Sequence, residues 1–180
     1  MLYYIEKEFI LYFFTADEHY HHNNILRYCG RPFYDIEEHD VEIIKKHNSV
    51  VRPGDTVVHA GDFTLISNRA KVQNDYINRL NGTHIFLKGS HDRWLHSQSC
   101  RIWEKTIEGQ FIVVCHYSMR TWHRSHYNSW QLYAHSHGKL APQGKQHDIG
   151  VDNNNFYPLS FDEICVIMQS RPDNFNLVKR

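Results

Sequence analysis

The apolar positions of this chain fall into short runs that stop on polar turns. Residues 9–16, FILYFFTA, form a continuous apolar run that ends at Asp17, the pattern of a strand covered on both faces. Asp35 followed by Glu38 has capping-box spacing and predicts a helix over residues 36–50. Arg52-Pro53-Gly54-Asp55 is a turn, after which Thr56 to Ala60 (TVVHA) reads as a second strand ending at Gly61-Asp62. Ser67 is placed to cap a helix through Leu80, closed by Asn81-Gly82. Thr83 to Lys88 (THIFLK) is a third strand, and it ends at Gly89-Ser90-His91-Asp92. Further on, Arg101–Ile107 and Gln110–Cys115 flank Glu108-Gly109 as a hairpin. Gln131–Ala134 and Gln146–Val151 add two short strands, and Ser160 with Glu163 repeats the capping-box spacing before a helix near residues 161–169.

The strand–helix–strand–helix–strand order of the first half predicts a parallel sheet, and the second half changes character, its hairpin and two short strands making a second sheet packed on the first. The expected fold is an α/β, four-layer α-β-β-α sandwich with two mixed sheets. No internal repeat, low-complexity tract or linker interrupts residues 1–180, so one domain is expected. The polar clusters fall at strand ends: Asp17 and His19, Gly61-Asp62, Ser90-His91-Asp92, His116, and His135 with His137. Ligand sites in parallel α/β sheets form outside the carboxyl ends of the strands, so five loops are placed to serve one crevice.

Composition sharpens this picture in two respects. Of 180 residues, 15 are histidine, the side chain that most often ligates metals and exchanges protons near neutral pH. Lys+Arg and Asp+Glu each number 20, without the basic excess of a dedicated nucleic-acid binder. A stable nucleic-acid or protein partner is therefore not indicated. The four cysteines, at 29, 100, 115 and 165, form no C-x-x-C pair, which argues against a zinc ribbon or thioredoxin motif and for buried thiols in a reducing compartment. The N-terminal apolar run is too short to span a bilayer, and Glu6 and Glu8 make a poor signal sequence. A cytoplasmic protein with no membrane association is the expectation.

Singly the motifs are weak: Gly-Asp after a strand is usually a turn. The H-x-H pair is stronger, since alternate residues of an extended chain point the same way. Together, two aspartates (Asp17, Asp62) and four imidazoles (His19, His116, His135, His137) suit borderline divalent ions such as Mn2+, Fe2+ or Zn2+. Two ions about 3.5–4 Å apart need a bridging carboxylate, for which Asp62 is placed. A water held between them would become the nucleophile, and no serine or cysteine nucleophile is needed.

The order D-x-H, G-D, G-S-H-D, strand-end H and H-x-H resembles the calcineurin-like metallophosphoesterases over most of the chain. Four stretches resemble a small bacterial and phage single-domain branch: FTADEHYHHNNI at 14–25, RPF at 31–33, LYAHSHG at 132–138 and DIGVDNNNFYPLS at 148–160. The resemblance implies a metallophosphoesterase-like fold and hydrolysis of phosphomonoesters or phosphodiesters by a metal-bridging hydroxide. It implies that Asp17, His19 and His137 hold one ion, that Asp62 is shared, and that His116 and His135 hold the other. Mn2+ is the first choice, with Fe, Zn and Ni also compatible. It further implies that His91 is the proton donor to the leaving oxygen and that Asp92 orients His91.

Two positions depart from the family pattern. Ser90 stands where an asparagine normally ligates the second ion, which is expected to weaken that site. Ala134 stands where the fourth motif usually has glycine. Arg31, Arg27 and His126 are candidates for binding substrate phosphate, and Tyr117, Trp122 and Tyr127 for stacking on a base, so that the small phosphoester substrate extends to nucleotides. The competing readings are a catalytically weakened scaffold of the same fold, for which Ser90 speaks, and a nuclease.

Overall fold

The computed structural model describes residues 10–178. The first apolar run becomes strand only at β1, Tyr12–Thr15; Ile10 and Leu11 are exposed, and Phe9 lies outside the described residues. The chain continues through α1 (Asn23–Cys29), α2 (Ile36–Val50), β2 (Thr56–His59), α3 (Arg69–Asp75) with a 3-10 turn at Ile77–Arg79, and β3 (Thr83–Phe86). Then follow β4 (Ile102–Ile107), β5 (Gln110–Cys115), β6 (Trp130–Tyr133), β7 (Gln146–Asp148), β8 (Leu159–Ser160) and α4 (Phe161–Gln169).

Local chemistry accounts for these boundaries and for the differences from expectation. Asp35 accepts the Glu38 N–H at 2.8 Å, but Glu38 takes the N–H of Tyr34 instead of Asp35, so only half of that capping box forms. Ser160 and Glu163 complete theirs reciprocally. Asn68, and not Ser67, caps α3 by accepting the Lys71 N–H. That helix ends at Tyr76, whose ring stacks on Tyr20 and whose hydroxyl donates to Asp40 at 2.8 Å. The seven-residue α1 went unforeseen because it is too short to show an amphipathic repeat; it stops at Gly30, which is left-handed at φ 63°. Glu108 and Gly109, at φ 47° and 85°, make the two-residue turn that matches hairpin twist.

Two mixed four-stranded sheets result, in the orders β3-β2-β1-β8 and β4-β5-β6-β7. Within the first, β1, β2 and β3 are mutually parallel and β8 is antiparallel; within the second, β5, β6 and β7 are mutually parallel and β4 is antiparallel. A core between the sheets joins Phe14, Val58 and Leu87 to Ile112, Val114, Leu132 and Ile149, and α4 adds Phe161, Ile164 and Met168 to it. On the far side of the first sheet, α2 and α3 bury Ile43, Ile44, Val72 and Tyr76. The far side of the second sheet differs from the expected helical layer. Its buried Gln131 and Tyr133 bond to Tyr117, Met119 and Leu140, so loops cover it. Among the described residues no helix is long and apolar enough to cross a membrane.

One contact decides where a site can form. Ala16, just past β1, bridges in parallel to Gly150, just past β7. The carboxyl ends of both parallel triplets therefore meet along one edge.

Beneath that edge lies a buried polar cluster. Glu18 lies 2.6 Å from His59 Nδ1, and His59 Nε2 lies 3.0 Å from His84 Nδ1. His47 on α2 packs beside them and donates from Nε2 to the Asn81 carbonyl. Burial pushes His47 from 6.5 down to about 4. A depressed imidazole is protonated first in the unfolded chain, so its contribution to stability is full above pH 6.5 and is lost as pH falls through 4. The nonionising His47→Gln variant should therefore lose stability less steeply on acidification, by about 1.4 kcal/mol per pH unit across that window. Urea titrations of both proteins between pH 7 and 4 measure this; parallel slopes would refute it.

Candidate metal centre

The loops that leave this edge are held in unusual backbone conformations. Asp17, His19, Asp62, His135 and His137 all have positive φ, between 48° and 69°. Aspartate and histidine tolerate the left-handed region better than most residues, yet such positions cost on the order of 1–3 kcal/mol each and gather at functional sites. The tightest crossing is at Asp62. A Cβ on Gly61 would lie 2.6 Å from the Gly89 nitrogen, and one on Gly89 would collide with the Asp62 carboxylate. Both glycines are needed for the second and third loops to approach this closely.

The six side chains expected to meet do so. Asp17, His19 and His137 bring one donor atom each within 4.8 Å of one another, and Asp62, His116 and His135 do the same. Asp62 Oδ2 links the two groups, 3.9 Å from His19 Nε2 and 3.2 Å from His116 Nε2. Ser90 donates its hydroxyl to that same oxygen at 2.9 Å, and His91 Nε2 lies 3.9 Å from it, with 44% of the His91 side chain exposed. The methyl of Ala134 is taken up in the core between the sheets.

Three of the four imidazoles share one arrangement. Nδ1 of His116 meets the Ala60 carbonyl at 2.9 Å, Nδ1 of His137 meets Asp152 Oδ2 at 2.7 Å, and Nδ1 of His19 meets His22 Nδ1 at 3.2 Å. Each is thereby left with Nε2 for the interior of the cluster. His19 Nε2 and Asp17 Oδ1 are buried without any hydrogen-bond partner, and His116 Nε2 faces only the Asp62 carboxylate, at 3.2 Å. Orphaned buried polar atoms cost about 1–3 kcal/mol apiece, and the first two atoms lie in the same cluster as that pair. Burial pushes Asp17 up to about 7 despite His137 and His116 nearby; the protein alone does not supply enough positive charge for it. Burial also works against the Asp62 carboxylate, but His116 and the His91 N–H outweigh it and hold Asp62 below the ordinary range. The residues present fit a site for divalent cations.

Several expected roles move. Arg31 was a candidate for binding substrate phosphate, but it is buried and every guanidinium N–H is engaged. It grips both oxygens of Asp152 at 2.8 Å and bonds to the Asp17 and Glu18 carbonyls and to His39 Nε2. Asp92 does not orient the His91 ring: its carboxylate turns inward and accepts the N–H groups of Asp62, Phe63 and Gly89 and the Trp94 indole. It positions Asp62 instead. His126 and Tyr127 sit in the 3-10 turn Ser125–Tyr127, at the amino end of β6, the end of the strand opposite to the cluster. Trp122 is buried with its indole on the Ser129 carbonyl. Arg27 is exposed on α1 and lies over the Tyr28 ring. Tyr117 remains at the site, edge-on to His116 and His135.

Asp152 and His22 are neighbours of the donor cluster that no sequence motif singles out. Both lie inside stretches already distinctive, DIGVDNNN and DEHYHH, but an aspartate and a histidine flanking stronger motifs carry no spacing signal of their own. Cys29 also falls within reach of His137 and Asp152, but Arg31 and His137 already occupy that carboxylate.

No family model matches the chain. It is 29% identical over 164 residues to the uncharacterized protein MJ1445 of Methanocaldococcus jannaschii, covering 87% of this chain and 90% of that one. The crystal structure of AQ665, a protein of unknown function from Aquifex aeolicus, aligns with a TM-score of 0.66 at 21% identity over 88% of this chain and all of that one. That likeness concerns the α/β fold.

A buried cation stripped of its partner, or an anion left without its cation, costs about 3–5 kcal/mol. Arg31→Met in chelator-treated protein should lower unfolding stability by about that amount, read by urea denaturation. A loss near zero would show that the Arg31–Asp152 pair does not hold these loops together.

Proposed function

We propose that this protein is a metal-dependent phosphoric ester hydrolase with a two-metal site, a calcineurin-like metallophosphoesterase in fold and chemistry. The observation that carries this reading is the pair of donor groups joined through Asp62 Oδ2, each containing a carboxylate and two imidazoles, the ligand types that suit Mn2+, Fe2+ and Zn2+. Asp17, His19 and His137 would hold one ion, His116 and His135 the other, with Asp62 common to both. When bound, the ions supply positive charge for the phosphoryl oxygens and lower the pKa of water towards neutrality.

The chain itself does the rest. His91 is half-exposed at the mouth of the cluster and 3.9 Å from the shared carboxylate oxygen, the position for handing a proton to a leaving oxygen at the rim. Its backbone N–H, donated to Asp62 Oδ1 at 2.8 Å, fixes the loop that carries the proton donor to the residue that would bridge the ions. Tyr117 walls the His135 side and offers an exposed ring to a substrate base. With His91 and Tyr117 both open to solvent, the site accommodates a small phosphodiester as readily as a monoester.

Ser90 would set a second ion apart from the first. Its hydroxyl hydrogen-bonds the bridging carboxylate and so competes for the oxygen that both ions would share.

Purified protein loaded with Mn2+ should hydrolyse p-nitrophenyl phosphate or its bis diester and lose the activity to EDTA. His91→Ala should lower kcat by about 10²–10⁴-fold with its metal content unchanged. Full activity in EDTA, or in His91→Ala, would contradict the proposal. Ser90→Asn should raise affinity for the second ion and turnover together; if neither moves, the hydroxyl is not what limits that site.

A further inference from the structure

We infer that His22 is the positioning residue for His19, fixing the tautomer with which His19 meets a metal; this rests on the two-metal reading above. The geometry begins with what His22 does not do. It occupies the N-cap position of α1, where a side chain ordinarily accepts a helix N–H, yet it makes no such bond. Its ring turns instead towards His19: the ring centroids are 5.1 Å apart and the two Nδ1 atoms 3.2 Å apart.

His19 Nε2 is buried, has no hydrogen-bond partner and points to the Asp62 side of the cluster. As a ligand through Nε2, His19 must carry its proton on Nδ1, and a metal-bound imidazole almost always donates that second N–H to an outer acceptor. For His137 that acceptor is the Asp152 carboxylate, and for His116 the Ala60 carbonyl. For His19, among the described residues, it is His22 Nδ1. Two nitrogens at this distance share one proton, so His19 Nδ1–H donates, His22 Nδ1 accepts, and the proton of His22 resides on Nε2. His22 thus completes for His19 what Asp152 and Ala60 complete for the other two.

The test uses the full chain, stripped by chelator and titrated with Mn2+ by calorimetry. His22→Phe keeps a ring and removes the acceptor; His22→Asn keeps an acceptor oxygen where Nδ1 stands. Wild type should bind two ions. His22→Phe should weaken one of them by about 10–100-fold, the usual effect of losing an outer-shell partner, and leave the other unchanged. His22→Asn should restore binding. Equal melting temperatures of the metal-free proteins separate this effect from misfolding, and His22→Leu serves if His22→Phe does not fold. Undiminished binding in His22→Phe, or binding by His22→Asn as weak as in His22→Phe, overturns the role of His22 alone. A wild-type protein that takes up no Mn2+ overturns the metal centre and this role with it.

Discussion

The structure depends on holding the Asp62 carboxylate at one point in a buried space. Two glycines leave no room for a side chain where the second and third loops cross, and Asp92 gathers three backbone N–H groups from both loops. The result is a carboxylate oxygen that faces two imidazole nitrogens, a hydroxyl and a histidine at the rim. Such an arrangement is costly in an empty interior, since unpaired lone pairs and left-handed backbone both oppose folding. A cation among them would turn those costs into coordination.

A second support reaches the site from the other side. Arg31 binds Asp152 through both oxygens and the carbonyls of Asp17 and Glu18, so one guanidinium secures the first loop and the loop after β7 together. Asp152 in turn fixes His137. Because the Ala16–Gly150 bridge already brings these loops side by side, the interaction spans the seam between the two sheets. The donor side chains of the candidate site lie on that seam, and outer partners hold three of the four imidazoles in one orientation.

Much of this was legible in the sequence, for a physical reason. Strands covered on both faces read as apolar runs, and the residues that end them are necessarily those at the sheet edge. Asp17, Asp62, His116, His135 and His137 could thus be assigned to one crevice from their places after β1, β2, β5 and β6. The capping serine of α4 was equally plain. What stayed hidden depends on side-chain direction across long separations. Arg31 reads in the sequence as a candidate for binding phosphate, because its partner Asp152 is 121 residues away. Asp92 looked like the neighbour of His91, although consecutive side chains diverge and its carboxylate turned to backbone donors. His126 and Tyr127 lie in the segment that enters β6 and fall at the wrong end of the strand, which composition does not reveal. The loop cover on the second sheet was missed because buried polar residues such as Gln131 mimic no helix pattern.

The most direct measurement is diffraction from crystals grown with Mn2+ and recorded at the manganese absorption edge. Two anomalous peaks are expected, one among Asp17, His19 and His137 and one beside His116 and His135, with Asp62 touching both. No peak at this position, or a lone ion that Asp62 does not contact, would contradict the account.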